Sequence, residues 1–324
     1  MLYSIIIPVY NRPEEIDELL YSLTLQTCQN FEVLVIEDGS EIDCKSIVES
    51  YKDSLDIHYH FKENSGQGFS RNYGFDRAIG DYFIVFDSDC IVPPHYLETV
   101  NQYIALNRVD CWGGPDRALP SFTPMQKAIN FSMTSFLTTG GIRGKSKRID
   151  NFHPRSFNMG IHREVYRKTG GYRITRMGED IEFSIRIMKA GFSTALIEEA
   201  YVYHKRRVGL MQFYDQLYFF GRARVNISRF YPNELKIVHL FPLMFTAGLI
   251  LLLPLYIFEP IIAISLITLY FIYSGLILTE SYFKTGSLYV AMLSIATSFT
   301  QLIAYASGFI NETKRDLFSD FDKN

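Results

Sequence analysis

The four cysteines, Cys28, Cys44, Cys90 and Cys111, form no CxxC pair and no metal-finger spacing. This excludes a disulfide scaffold or zinc module read from spacing and leaves reduced cytosolic thiols as the expectation. A signal peptide is not expected, because the apolar run in "MLYSIIIPVYNRP" is too short for one. An excess of one charge sign is missing too. With 32 Lys and Arg against 35 Asp and Glu, the net charge of -3 argues neither for nor against nucleic acid, and none is expected as a partner. The sequence has no internal repeat and no low-complexity segment, and only one tryptophan, Trp112.

The most telling absence is local. Residues 237–258, 260–278 and 285–310 contain no Asp, Glu, Lys or Arg, and each is long enough to cross a bilayer. Pro242 and Pro254 interrupt the first stretch, which leaves an interfacial or re-entrant helix as its alternative. Just before it, Lys205, Arg206, Arg207, Arg222, Arg224, Arg229 and Lys236 face only Asp215 and Glu234, a basic flank that normally stays cytoplasmic. The expected division is a catalytic domain over 1–230 and a membrane region over 231–324 with about three helices and a short polar tail. The expected location is the inner (cytoplasmic) membrane, with the catalytic domain on the cytoplasmic side.

What is present in the first 110 residues is alternation of β-type and helical patterns. "YSIIIPV" (3–9), "FEVLVIE" (31–37), "DIHYHF" (56–61) and "DYFIVF" (81–86) read as strands. Helices are expected over 13–25, which opens on Pro13 and first-turn acids, and over 47–51 and 69–78. The order βαβαβαβ predicts an α/β fold, a mostly parallel sheet flanked by helices. Further helices are expected over 179–190 and 210–228.

Ligands of such sheets sit beyond the carboxyl ends of the strands. Asn11 follows the first strand, "EDGS" (37–40) the second, Glu63 and Asn64 the third, and Asp87 and Asp89 the fourth. One such cluster is ordinary turn chemistry. Four at one edge predict a site.

The ordered motifs "SIIIPVYNRPEEIDELLYSL", "VLVIEDGS", "ENSGQGFSRNYGFDRAIGDYFIVFDSD", "FNMGIHREVY" and "GEDIEFSIR" resemble family 2 glycosyltransferases of the GT-A fold, over about residues 3–230. The resemblance implies a nucleotide-sugar donor and Mg²⁺ or Mn²⁺, which suits all-oxygen ligation and neutralises the leaving diphosphate. It implies Asp89 as metal ligand and Asp87 as a contact to sugar or ribose, near the same ion. Pro8, Tyr10 and Asn11 would lie along the nucleoside. Asp38 would accept from a pyrimidine ring N–H, favouring a UDP-sugar, with Glu37 standing where the family usually has a first aspartate. Asn64 joins this donor set, and Arg71 would reach pyrophosphate or base. Within "GED", Asp180 would be the general base of an inverting transfer and Glu179 its partner. His204 is a further candidate metal ligand.

The "QxxRW" motif of processive synthases is absent, because "QLYFFGRARV" has no matching tryptophan. This favours transfer of a single sugar, to a glycan or lipid-linked acceptor among membrane lipids. A nucleotidyltransferase or a non-catalytic nucleotide-sugar-binding protein are the alternatives.

Overall fold

A computed structural model describes residues 1–119, 121–140 and 152–321. The chain divides into two compact units, Met1–Leu119 with Ser146–Lys205, and Pro120–Lys145 with Arg206–Asn324.

The first unit is built on a seven-stranded sheet. Its strands are β1 (Tyr3–Val9), β2 (Phe31–Asp38), β3 (Ile57–Lys62), β4 (Tyr82–Phe86), β6 (Cys111–Gly113), β8 (Asn158–His162) and β9 (Thr194–Leu196), in the spatial order β3-β2-β1-β4-β8-β6-β9. A second, three-stranded sheet holds β5 (Cys90–Ile91), β10 (Val202–His204) and β7 (Asp116–Arg117), in that order. The parallel half, β3-β2-β1-β4, is the expected βαβαβαβ unit, with Ile5 in register with Val33 and Ile84. Beyond it β8 runs antiparallel to both β4 and β6.

Period-two alternation explains the layers. Ile5, Ile7, Val33 and Val35 face one core, under the helices Pro13–Thr24 and Tyr96–Leu106, whereas Ile6, Leu34 and Ile36 face the other, which contains Phe75, Phe183 and Ile187. Each fully buried aliphatic side chain stabilises by roughly 1.5–3 kcal/mol, an upper figure because the unfolded chain is partly collapsed. At the antiparallel seam Gly160 pairs with Trp112, and a Cβ there would lie 2.0 Å from the indole ring. Only glycine lets the buried Trp112 lie across β8.

The second unit contains the helices Pro124–Thr134, Phe136–Thr139, Leu210–Phe230, Phe241–Phe258, Pro260–Thr285 and Leu288–Phe321. Three segments, Ile237–Phe258, Pro260–Thr285 and Leu288–Arg315, are long and apolar enough to cross a membrane. Pro242 sits in a first turn, and the helix continues through Pro254. The expected boundary at 230 does not coincide with the compact units, because Leu210–Phe230 packs against the last helix. Their backbones meet closely: a Cβ on Gly221 would lie 2.0 Å from the Tyr305 carbonyl oxygen, and one on Gly308 1.9 Å from that of Tyr218. The polar tail is not separate either. Its backbone continues the last helix to Phe321.

Candidate active site

The sequence-predicted acids gather where the parallel strands end. Strand β4 is wholly buried and stops at Phe86, and a turn closed by the Cys90 amide on the Asp87 carbonyl, 3.1 Å, returns the chain into β5. The turn leaves Asp87 a third exposed and Asp89 buried. Antiparallel pairing of β5 with β10 sets His204 opposite Cys90, so a residue 115 positions away from Asp89 puts its Nε2 3.0 Å from that carboxylate. The imidazole stacks on Phe157, and the Arg12 guanidinium holds the other Asp89 oxygen. Burial works to raise the Asp89 pKa, but the His204 and Arg12 charges prevail and hold it well below the usual carboxylate range.

Asp89, Cys90 and His204 each place one potential ligand atom within 4.8 Å of the others. Burial pushes the Cys90 thiol well up, and its Sγ lies 3.5 Å from the Phe157 carbonyl as a weak donor, so it is a neutral thiol. The effective donors are one carboxylate and one imidazole. Such an oxygen and nitrogen pair fits a divalent ion, and the imidazole favours Mn²⁺ over Mg²⁺.

Arg71, expected to reach pyrophosphate or base, sits in the helix Gln67–Phe75. Its side chain is 1% exposed, donates to Asp87 at 2.7 Å and to Glu179 at 3.3 Å, and ties the end of β4 to the helix Glu179–Lys189. It is an internal tether between these two acids.

The two acids of "GED" have distinct surroundings. Met177 and Gly178 both take positive φ, +61° and +94°, and this reversal starts the helix with both carboxylates at its first turn. Glu179 points inward, accepting from Gln67 and Arg71, and burial together with Asp180 raises its pKa. Asp180 is the more open, accepting from the Ile181 amide at 2.8 Å and from Arg155 at 3.2 Å.

The two acids that end β2 are committed internally. Glu37 is fully buried and accepts from the Ser40 hydroxyl and, at 2.8 Å, from the Cys44 amide. Asp38 accepts from Lys62 and from the amides of Ser65 at 2.9 Å and Gly66 at 2.8 Å. Asn64 donates to the Asp38 carbonyl at 2.8 Å. Asn11, at φ +52°, accepts from the amides of Glu41 and Ile42, which locks the first two loops together. Pro8 lies within β1 opposite Ile36, and Tyr10 is half-exposed beside it.

Sequence reading missed Arg12, Gln67, Arg155 and Phe157. Arg12 lies inside a quoted motif, but nothing local shows that its partner is 77 residues on.

The model of the Glycosyl transferase family 2 domain matches residues 4–170. Named relatives include an uncharacterized glycosyltransferase of Rickettsia typhi, 39% identical over 109 residues, which are 34% of this chain and 33% of that protein. A validoxylamine A glucosyltransferase of Streptomyces hygroscopicus subsp. jinggangensis is 36% identical over 103 residues, 31% of this chain and 24% of that one. The chain thus spans about a third or less of the length of these relatives. Among solved structures, a mannosyltransferase from Pyrobaculum calidifontis in complex with GDP-Man and Mn²⁺ superposes with a TM-score of 0.70 at 15% identity, over 96% of this chain and 86% of that one. S. aureus TarS 1-349 in complex with UDP-GlcNAc superposes with a TM-score of 0.50 at 20% identity, over 70% and 67% of the two chains. These likenesses confirm the GT-A type of fold, and the match over more than half of its residues establishes that the chain belongs to glycosyltransferase family 2.

Proposed function

We propose that the protein transfers a single sugar from a nucleotide-sugar, a UDP-sugar by preference, to a glycan or lipid-linked acceptor at the membrane. The observation that carries this reading is the ion-pair chain Asp87–Arg71–Glu179, which joins the turn bearing the cation-compensated Asp89, beside His204, to the helix start bearing the open carboxylate Asp180. Asp89 and His204 would hold Mg²⁺ or Mn²⁺, with Asp87 beside them. When bound, such an ion supplies charge neutralisation for the departing diphosphate.

The chain's own residues supply the rest. Pro8, Tyr10, Asn11 and the loop held by Glu37 and Asn64 form the wall for the nucleoside. Asp38 has three internal donors on a carboxylate with about four acceptor positions, so one remains for a ring N–H. The neighbour complexes with UDP-GlcNAc and GDP-Man support a nucleotide-sugar without deciding its base. Asp180 takes the proton from the attacking hydroxyl, and Arg155 holds its second oxygen in place. Glu179, buried and paired, positions the helix start. Attack from the side of Asp180 inverts the anomeric centre.

The three apolar segments hold the chain in the membrane, with the catalytic unit on the cytoplasmic side and the acceptor presented by lipids or a surface glycan. The test is a panel of UDP-, GDP- and dTDP-sugars given to membranes containing the protein. Release of UDP from one donor class supports the reading. Preference for a GDP-sugar refutes the base assignment, and release of pyrophosphate would signify nucleotidyl transfer instead.

A further inference from the structure

Arg12 has no role in the account above, yet it holds the carboxylate on which that account depends. Its guanidinium sits on one Asp89 oxygen while His204 Nε2 lies 3.0 Å from the other. The backbone that delivers it is fixed. Asn11 stands at φ +52°, its amide donates to Ser40 Oγ at 2.7 Å, and its side chain accepts from the amides of Glu41 and Ile42. Pro13 then begins the helix Pro13–Thr24, for which Arg12 is the N-cap residue. An N-cap side chain usually accepts from its own helix, but Arg12 makes no such bond, and arginine offers only donors. Its side chain is 31% exposed, against 9% for Asp89, so one flank is open to solvent.

A nearly buried carboxylate is costly without a positive partner, and a site that fills and empties with each donor must meet that cost in both states. We propose that Arg12 is a displaceable counter-cation, paired with Asp89 when no divalent ion is bound and released to the donor's diphosphate when the ion replaces it. The guanidinium fork matches phosphate oxygens as well as carboxylate oxygens, so the same side chain serves both partners. The proposal rests on reading Asp89 as a metal ligand.

Arg12 and the ion compete for one oxygen, whereas Arg12 and the diphosphate attract each other. Its removal therefore shifts two affinities in opposite directions, which loss of a merely structural contact does not do. The test uses the full chain in detergent, as wild type, Arg12→Met, Arg12→Lys and Asp89→Asn. Free Mn²⁺ is followed by electron paramagnetic resonance without nucleotide, and UDP and GDP binding by calorimetry at saturating Mn²⁺. Loss of one charge-assisted hydrogen bond corresponds to about tenfold in an equilibrium constant. Arg12→Met is expected to bind Mn²⁺ about tenfold more tightly and the preferred nucleotide about tenfold more weakly. Arg12→Lys, keeping the charge, is expected to move Mn²⁺ affinity less. If Asp89→Asn loses Mn²⁺ while Arg12→Met binds it no more tightly than wild type, the counter-cation proposal is overturned and the metal site stands. Wild-type Mn²⁺ binding by Asp89→Asn would overturn both.

Discussion

Arg71→Met perturbs the site at its internal tether. The guanidinium bonds Asp87 at 2.7 Å and Glu179 at 3.3 Å, and methionine fills much of its volume without charge or donor. Removing one member of a buried ion pair costs about 3–5 kcal/mol, since the remaining charge is stranded. Two features favour the lower end. Asp87 is a third exposed, so water screens it. Glu179 takes up a proton, because burial and then Asp180 already raise its pKa and Arg71 is the charge opposing them. The expected loss is about 3 kcal/mol at about pH 8, or roughly 6–12 °C in the midpoint of a unit of this size.

The pH dependence has a definite sign. A glutamate with a raised folded pKa binds its proton more tightly in the folded state, so it weakens the fold as pH rises from the ordinary glutamate range through the folded value. Without Arg71 that rise is larger. The deficit of Arg71→Met against wild type should therefore grow from about pH 5 to about pH 8. Trp112 is the sole tryptophan and is fully buried in the first unit, so its fluorescence follows that unit alone during heating. A deficit below about 2 °C at pH 8, or one independent of pH, would refute the claim that Arg71 compensates Glu179.

Gly160→Ala drives a Cβ into the Trp112 ring and should cost about 3 kcal/mol, the upper end for overpacking, seen as a lowered midpoint and a red-shifted tryptophan spectrum in the same assay. Asp180→Asn should lower turnover by about 10²-fold or more while nucleotide binding persists; binding lost together with turnover would move Asp180 into the donor site. If each of the three apolar segments crosses the bilayer, Lys52 and Ser319 lie on opposite faces of the membrane. Single cysteines at these positions, in a cysteine-free background, should react with an impermeant thiol reagent from opposite sides, and labelling of both from one side would demote the first span.

The parallel half of the fold was legible because β1, β2 and β4 are rich in bulky apolar residues whose alternate side chains serve two cores. Strands β6, β8 and β9 were not, since they have three to five residues each and β8 carries Gly160 where a side chain would otherwise signal a buried face. Asp89, His204 and Asp180 could be named because strand ends and motif order point to them. The partners that define their chemistry could not. Arg71 read as a contact to pyrophosphate or base and Arg12 drew no reading, because only the fold brings Asp89, Asp87 and Glu179 to them. Packing of the second unit was hidden for a similar reason: only the fold shows that Leu210–Phe230 has its face against the last helix, where Gly221 and Gly308 let the backbones meet.

The most direct test of metal-assisted sugar transfer at this site compares wild type with Asp89→Asn on the donor selected by the panel, with Mn²⁺ and with a chelator. Asn preserves the shape of the side chain but removes the carboxylate that pairs with His204 and Arg12. The account predicts nucleoside diphosphate release by wild type with Mn²⁺, none with chelator, and none by Asp89→Asn under either condition, while Trp112 fluorescence shows both proteins folded. Release by Asp89→Asn close to the wild-type rate at saturating Mn²⁺ would contradict it.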